Sequence, residues 1–382
     1  MRTEKQWQEA KNILCIRLDS LGDVLMTTPA IRALKEGLPE RRITLLTSQS
    51  SAKVSPLIPE VDDTISYDPP WMKASVPPRD SKPDFQMIEQ LKSRAFDAAV
   101  IFTTFSQSPL PAAFLSFMAD IPLRLAHCRE NPYYLLTDWA PETDHFGKAD
   151  IRHETRRQLD LVASAGIHTT NERLSLQVSA KAVKKICRVL TDIGLDPDKA
   201  WIVLHPGATA ASRRYPLEKF AAVANELAAV YRIQIVFTGT RPEIGLVETI
   251  RTAMKADSFS LAGKLRIEEF AALISLAPLL ISNNSGPVHI AAAMNTPVVD
   301  LYALTNPQHT PWNVPHRVLY YDVPCKFCYK STCPMEHHNC LRLVPPAAVV
   351  EAALELFEVG RVGNPPLQKL SGYPHQGASQ KV

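Results

Sequence analysis

Short apolar runs alternate along the chain with longer segments whose apolar positions recur every three to four residues. In the first half the runs 13–18, 43–47, 64–67, 98–102 and 123–127 are rich in Val, Ile, Leu and Phe and read as strands. Segments 24–38, 85–95 and 112–118 between them read as helices. Continuous apolar strands alternating with helical periods predict a parallel sheet covered on both faces. The pattern then begins again. After a helix over 156–165 and a short strand or linker over 174–178, strands are predicted at 201–205, 234–238, 259–261, 279–282 and 298–302. Helices are predicted at 181–193, 217–231, 244–255, 267–276 and 288–294, and a last one at 345–357 is begun by two prolines. Two βαβ series in tandem predict an α/β protein of two doubly wound, Rossmann-like domains facing across a cleft.

A non-periodic stretch near 168–172 sets the expected boundary, giving domains 1–172 and 173–360, with a mobile tail expected over 361–382. A length of 382 residues suits two such units, each burying its own core. With a formal charge of +3 and 21% charged residues, the chain is neither an acidic disordered solvator nor a basic nucleic-acid coat. No nucleic-acid partner is expected. The charged start, MRTEKQWQEAKN, lacks the apolar core of an export signal, so a cytoplasmic location is expected. There, seven cysteines stay free or bind metal.

Four polar constellations follow predicted strands, on the rim where open α/β sheets bind ligands. In the first, Ser20-Leu-Gly-Asp23, Gly22 permits a tight strand-to-helix turn and Asp23 lands at a helix N-terminus. Asp23 there is either a helix cap or a group facing the cleft. The second, HPGATAASRRYP over 205–216, offers loop amides, the hydroxyl of Thr209 and the guanidinium of Arg213, a set suited to a diphosphate or to a plain solvated loop. In the third, FTGTRPE over 237–243, Gly239 permits the turn and Glu243 opens a helix, as a dipole-favoured surface acid or a ribose acceptor. The fourth, NNSGPVH over 283–289, places Asn284, Ser285 and Gly286 where a helix begins, with His289 one turn in. A buried core histidine is the plainer reading of His289. Arg17, Arg129 and Arg152 are either contacts for an anionic acceptor or ordinary surface charges.

The order R-L-x-S-L-G-D-V, then H-P-G-A with R-x-x-P, then N-x-S-G-P-x-H-x-A-A-A and T-P-V-V resembles glycosyltransferase family 9, the heptosyltransferases of lipopolysaccharide synthesis. The resemblance spans roughly residues 12–357. It implies a GT-B fold with the acceptor on the N-terminal half and the nucleotide sugar on the C-terminal half. It implies inverting transfer from an ADP-heptose donor to a lipopolysaccharide inner-core acceptor, with no cofactor and with contact at the inner face of the membrane. Matched by position, Asp23 takes the place of the general base, Thr209 and Arg213 of the donor-phosphate contacts, and Glu243 of the ribose acid. Ser285, Gly286 and His289 take the place of the phosphate loop and its helix. Asn284 stands where the family usually carries Asp; an amide there still donates to phosphate but brings no charge.

A separate expectation concerns Cys325, Cys328, Cys333 and Cys340, a C-x2-C-x4-C-x6-C pattern in a Pro-rich insertion over 325–340 that also holds His337 and His338. Four soft ligands at this spacing can close a structural zinc site; two disulfides, free thiols or an iron–sulfur cluster are the alternatives. Two other functions fit the same fold. A sugar-nucleotide epimerase or hydrolase calls for a second carboxylate in the donor cleft, and only one is well placed. A non-catalytic nucleotide-sugar sensor has no use for Asp23, which this chain keeps.

Overall fold

The computed structural model describes residues 2–72, 80–144 and 151–363. Helix α1 (Arg2–Glu9) leads into β1 (Asn12–Arg17), α2 (Leu21–Gly37), β2 (Arg42–Thr47), β3 (Asp63–Ser66), α3 (Lys82–Ser93), β4 (Ala98–Ile101), α4 (Leu110–Met118), β5 (Leu123–Cys128) and β6 (Asp138–Pro141). Helix α5 (Glu154–Ala163) packs back on α2 and completes the first half. The chain then crosses to α6 (Ala180–Asp192), β7 (Trp201–His205), α7 (Leu217–Ala229), β8 (Gln234–Phe237), α8 (Ile244–Ala253), β9 (Phe259–Ser260) and α9 (Ile267–Leu276). It ends in β10 (Leu280–Asn283), α10 (Gly286–Met294), β11 (Val298–Leu301), β12 (His316–Leu319), α11 (Asn339–Arg342) and α12 (Pro346–Gly363).

Each half holds one six-stranded, all-parallel sheet, ordered β3-β2-β1-β4-β5-β6 in the first and β12-β11-β10-β7-β8-β9 in the second. Both orders reverse direction beside a central strand, at β1/β4 and at β7/β10. A ligand crevice belongs at the carboxyl ends of strands flanking such a reversal. β1 and β7 are buried almost along their whole length, as strands covered on both faces must be.

Four elements went unread in the sequence, one of them α11, a single turn at the end of the cysteine insertion. Helix α1 has a charged sequence, RTEKQWQE, and is anchored by one fully buried residue, Trp7, whose indole N–H donates to Asp138 Oδ2 at 3.0 Å. The edge strands β6 and β12 are four residues each and only half-buried, so they carry no apolar run. Residues 174–178 form a linker, not a strand. The linker is held by α2: Arg32 Nη1 donates to the carbonyls of Asn171 and Arg173 at 2.8 and 2.6 Å, and Thr28 Oγ1 accepts from Ser175 N–H at 2.8 Å. The last helix runs on to Gly363, past the expected start of the tail, and the rest of that tail, 364–382, lies outside the described residues.

Candidate active site

β1 ends at Arg17, and the chain turns through 18–20 into α2 with Ser20 as N-cap and Asp23 at the third helical position. Asp23 divides its two oxygens. Oδ2 accepts from the Ser20 N–H at 3.1 Å and from Ser20 Oγ at 2.6 Å, a capping box. Oδ1 is buried and makes no hydrogen bond; it lies 3.3 Å from Arg17 Nη2 and 3.9 Å from His309 Nε2. The cap and the cleft-facing group are thus the same side chain.

Arg17 is fully buried among three carboxylates, Asp19 at 3.1 Å, Asp23 at 3.3 Å and Glu154 at 3.0 Å. Burial pushes the Asp23 carboxyl up, but Arg17, His309, Ser20 and His289 outweigh it and hold it at about 2. Asp19 moves the other way: burial lifts it to about 6 against the pull of Arg17. Neither Arg17 nor Arg152 is a plain surface charge. Arg152 is spent on Glu142, Asp144 and Asp160 at 3.0, 3.1 and 2.9 Å, and Arg129 lies over the Phe105 ring.

The opposite wall comes from the second half. Helix α10 begins at Gly286 behind its N-cap Ser285 and packs on α2. The contact is close at one point: a Cβ on Gly22 would lie 2.6 Å from His289 Cδ2. Gly22 is an ordinary helical residue without a positive φ. Its lack of a side chain serves this approach between the halves, not the turn expected from the sequence. Gly239 likewise has no positive φ and sits against Glu243. The His289 ring is buried, and burial takes it down to about 3, so it is neutral.

The donor-side loops are stitched together. Asn283 Nδ2 donates to Pro206 O at 2.7 Å, and its Oδ1 accepts from Tyr215 N–H at 3.0 Å. Ser285 Oγ donates to Asn283 O at 3.2 Å and reaches Gly207 O at 3.5 Å. Glu243 lies against Gly207, where any Cβ would collide with its carboxylate. Its Oε2 accepts from both the N–H and the Oγ of Thr240 at 2.7 Å, so this acid also caps its own turn. Thr209 is exposed on the rim, and half-buried Arg213 acts electrostatically on Asp300, His289 and His309.

Asn284 departs from expectation. Its Nδ2 donates inward to Asp300 Oδ2 and to the His309 carbonyl, both at 2.9 Å. With both amide hydrogens taken, it has none to give a phosphate, and it braces the loop instead. His309, Glu154 and Asp300 line this site unannounced by any motif. A histidine in the turn-rich stretch TNPQHTPW, directly after a central strand, was the signal for the first.

The cysteine insertion is a packing unit. Among the described residues no group of three or more His, Cys, Asp or Glu side chains is arranged to hold a metal ion, and all seven cysteines are free. The structural zinc expectation is therefore not supported. Cys325 and Cys340 pack as apolar groups against Tyr302, Leu304 and Val323. Cys325 Sγ meets His337 Nε2 at 3.7 Å. The insertion steadies the donor side: Lys330 O accepts from Ser212 Oγ at 3.1 Å, and Ser331 O from Ser212 N–H at 3.2 Å. It also reaches the other half, where the Tyr329 ring lies 5.4 Å from that of Phe105.

Two doubly wound domains whose strand ends converge on one crevice, with a carboxylate from one side and a helix start from the other, define a GT-B glycosyltransferase. Residues 85–339 match glycosyltransferase family 9 (heptosyltransferase), and the chain belongs to that family. It is 25% identical over 287 residues to lipopolysaccharide heptosyltransferase 3 of Escherichia coli, a match covering 75% of this chain and 81% of the relative. Its fold is similar to a family 9 glycosyl transferase from Veillonella parvula, with TM-score 0.75 and 21% identity over 91% of this chain and 98% of the other. It is similar too to the E. coli ADP-heptose lps heptosyltransferase II, with TM-score 0.70 and 22% identity over 91% and 99%. Among the described residues, no helix is long and apolar enough to cross a membrane.

Proposed function

We propose that this glycosyltransferase moves a heptosyl group from ADP-heptose to a hydroxyl of a lipopolysaccharide inner-core acceptor, with inversion at the anomeric carbon and Asp23 as general base. The enzyme works at the cytoplasmic face of the inner membrane, where such an acceptor is exposed. The observation that carries this reading is Asp23 Oδ1, a buried carboxylate oxygen without a hydrogen bond, aimed into the cleft between the halves. Similarity to lipopolysaccharide heptosyltransferase 3 and to the ADP-heptose lps heptosyltransferase II supports the donor and the acceptor class.

The chemistry is a single displacement. As the bond from the anomeric carbon to phosphate lengthens, positive charge grows on the sugar and negative charge on the diphosphate. Arg213 and the start of α10 at Ser285–Gly286 meet the diphosphate, Thr209 adds a hydroxyl, and Glu243 takes the ribose. His289, neutral and packed on Gly22, shapes the floor. The attacking hydroxyl becomes strongly acidic only as its new C–O bond forms. A carboxylate held at about 2 is therefore basic enough to take the proton late in the step.

Asp23→Asn tests this. Asparagine keeps a capping oxygen for Ser20, but Arg17 loses one of three anionic partners. The fold should lose about 2–3 kcal/mol, the value of a carboxyl depressed from an unfolded value near 3.9 to about 2. Transfer from ADP-heptose should fall about 10²–10⁴-fold, with ADP-heptose affinity by calorimetry within threefold of the parent. Turnover near the parent value removes Asp23 from the reaction.

A further inference from the structure

His309 lies in the loop after β11, on the half opposite Asp23, and its place is set from several sides. Its N–H donates to Tyr302 Oη at 3.3 Å, and its carbonyl accepts from Asn284 Nδ2 at 2.9 Å. Its flanking residues are fastened to the other half at the start of α5. Gln308 O accepts from Glu154 N–H at 3.0 Å, and Gln308 Nε2 donates to Arg152 O at 3.2 Å. His153 Nε2 lies 2.8 Å from Thr310 O, and the His153 ring stacks on Trp312 with centroids 4.5 Å apart.

This clasp delivers the imidazole to one point. His309 Nε2 is buried without a hydrogen bond, and so is Asp23 Oδ1, 3.9 Å away. Buried polar atoms nearly always have partners, so two facing orphans mark a place for a third group. A hydroxyl oxygen set off the line between them reaches both at about 2.8 Å, an ordinary hydrogen-bond distance. The two atoms face each other across the seam of the two halves, at the strand ends where an attacking acceptor must sit.

We infer that His309 is the second half of the base: the acceptor hydroxyl binds at Asp23 Oδ1, and the proton it gives up passes on to His309 Nε2. The inference rests on the transfer reading above. In the step, the oxygen of the hydroxyl bonds to the anomeric carbon, and the carbon–oxygen bond to phosphate breaks with its electron pair leaving on the nucleotide diphosphate. The O–H proton moves to Asp23 Oδ1 and then to Nε2, which returns Asp23 to a carboxylate and leaves an imidazolium.

The surroundings favour that resting place. Around His309 stand Asp23 on α2, Glu154 on α5, Arg17 on β1, Arg213 in the loop after β7, and the neutral rings of His289 and His153. Burial holds His309 below its ordinary value, ready as a neutral acceptor, while Asp23 and Glu154 steady the imidazolium once formed. A protonated Asp23 leaves Arg17 short of a partner. The proton therefore runs downhill from carboxyl to imidazole.

The test uses the full chain, His309→Ala and His309→Gln, and steady-state transfer across pH 5–9 with the donor the parent enzyme uses. Both variants should lose about 10²-fold in kcat while ADP-heptose affinity by calorimetry stays within threefold. Added imidazole should restore His309→Ala at least tenfold and leave His309→Gln, whose side chain fills the gap, unchanged. The acidic limb of the parent's kcat profile should vanish in both. Turnover within threefold of the parent overturns the relay. So does a loss that imidazole does not restore in His309→Ala, or one that tracks donor affinity and melting temperature, since the ring then serves only the clasp. A parent enzyme that uses another nucleotide sugar overturns the donor assignment, and the relay is then read with that donor.

Discussion

The carboxyl of Asp300, on β11, is fully buried; its Oδ2 accepts from Asn284 and its Oδ1 makes no hydrogen bond. Burial pushes it up to about 8, against smaller downward pulls from Asn284 and Arg213. The folded state therefore binds a proton that the unfolded chain releases near pH 4. The stabilisation from that proton is complete below about pH 4 and is lost as pH rises through about 8. Asp300→Asn keeps an oxygen for Asn284 and removes the titration. Melting curves from pH 5 to 8 should show the parent falling relative to this variant, by up to about 1.4 kcal/mol per pH unit. Parallel curves would show that Asp300 does not titrate there. At this scale the place of Asp23 was legible, in the first turn of a helix that follows a strand, on the cleft rim. The inward turn of Asn284 was not, since it depends on Asp300, a neighbour sixteen positions away that lies in an apolar run.

Among the elements, α2 and α10 carry the most information about the cleft. Gly22 tests what their contact requires. If it were only a helical residue, Gly22→Ala would stabilise α2 by about 0.5–1 kcal/mol. The close approach to His289 reverses the sign: a methyl 2.6 Å from Cδ2 forces the buried ring, or the helix that carries it, to shift. Gly22→Ala should melt lower than the parent and lose on the order of 10²-fold in transfer, as a displacement of about 1 Å between reacting groups can cost. A higher melting temperature with full activity would show that the seam is slack. The central strands and long helices were legible from apolar period alone, since β1, β7 and β10 are buried on both faces. The edge strands β6 and β12 and the charged α1 were not. Each gains its place from a partner, as α1 does through Trp7 and Asp138, and a partner leaves no local period.

Across the whole molecule, the halves share more than a crevice. One apolar cluster runs from Ile13, Val24 and Val100 in the first half to Trp201, Leu280, Val288 and Val298 in the second. Each half keeps a further cluster of its own. Because the shared cluster includes the central strands of both sheets, neither half can unfold without exposing the other. Differential scanning calorimetry should show one transition, with calorimetric and van't Hoff enthalpies in agreement. Two resolved peaks would mean that the shared cluster does not couple them.

The clasp between 152–154 and 308–310 also ties two movements into one. Gln308 and Thr310, on either side of His309, are both bonded to the start of α5, so an opening of the halves along this edge would part those bonds and draw His309 away from Asp23 in the same motion.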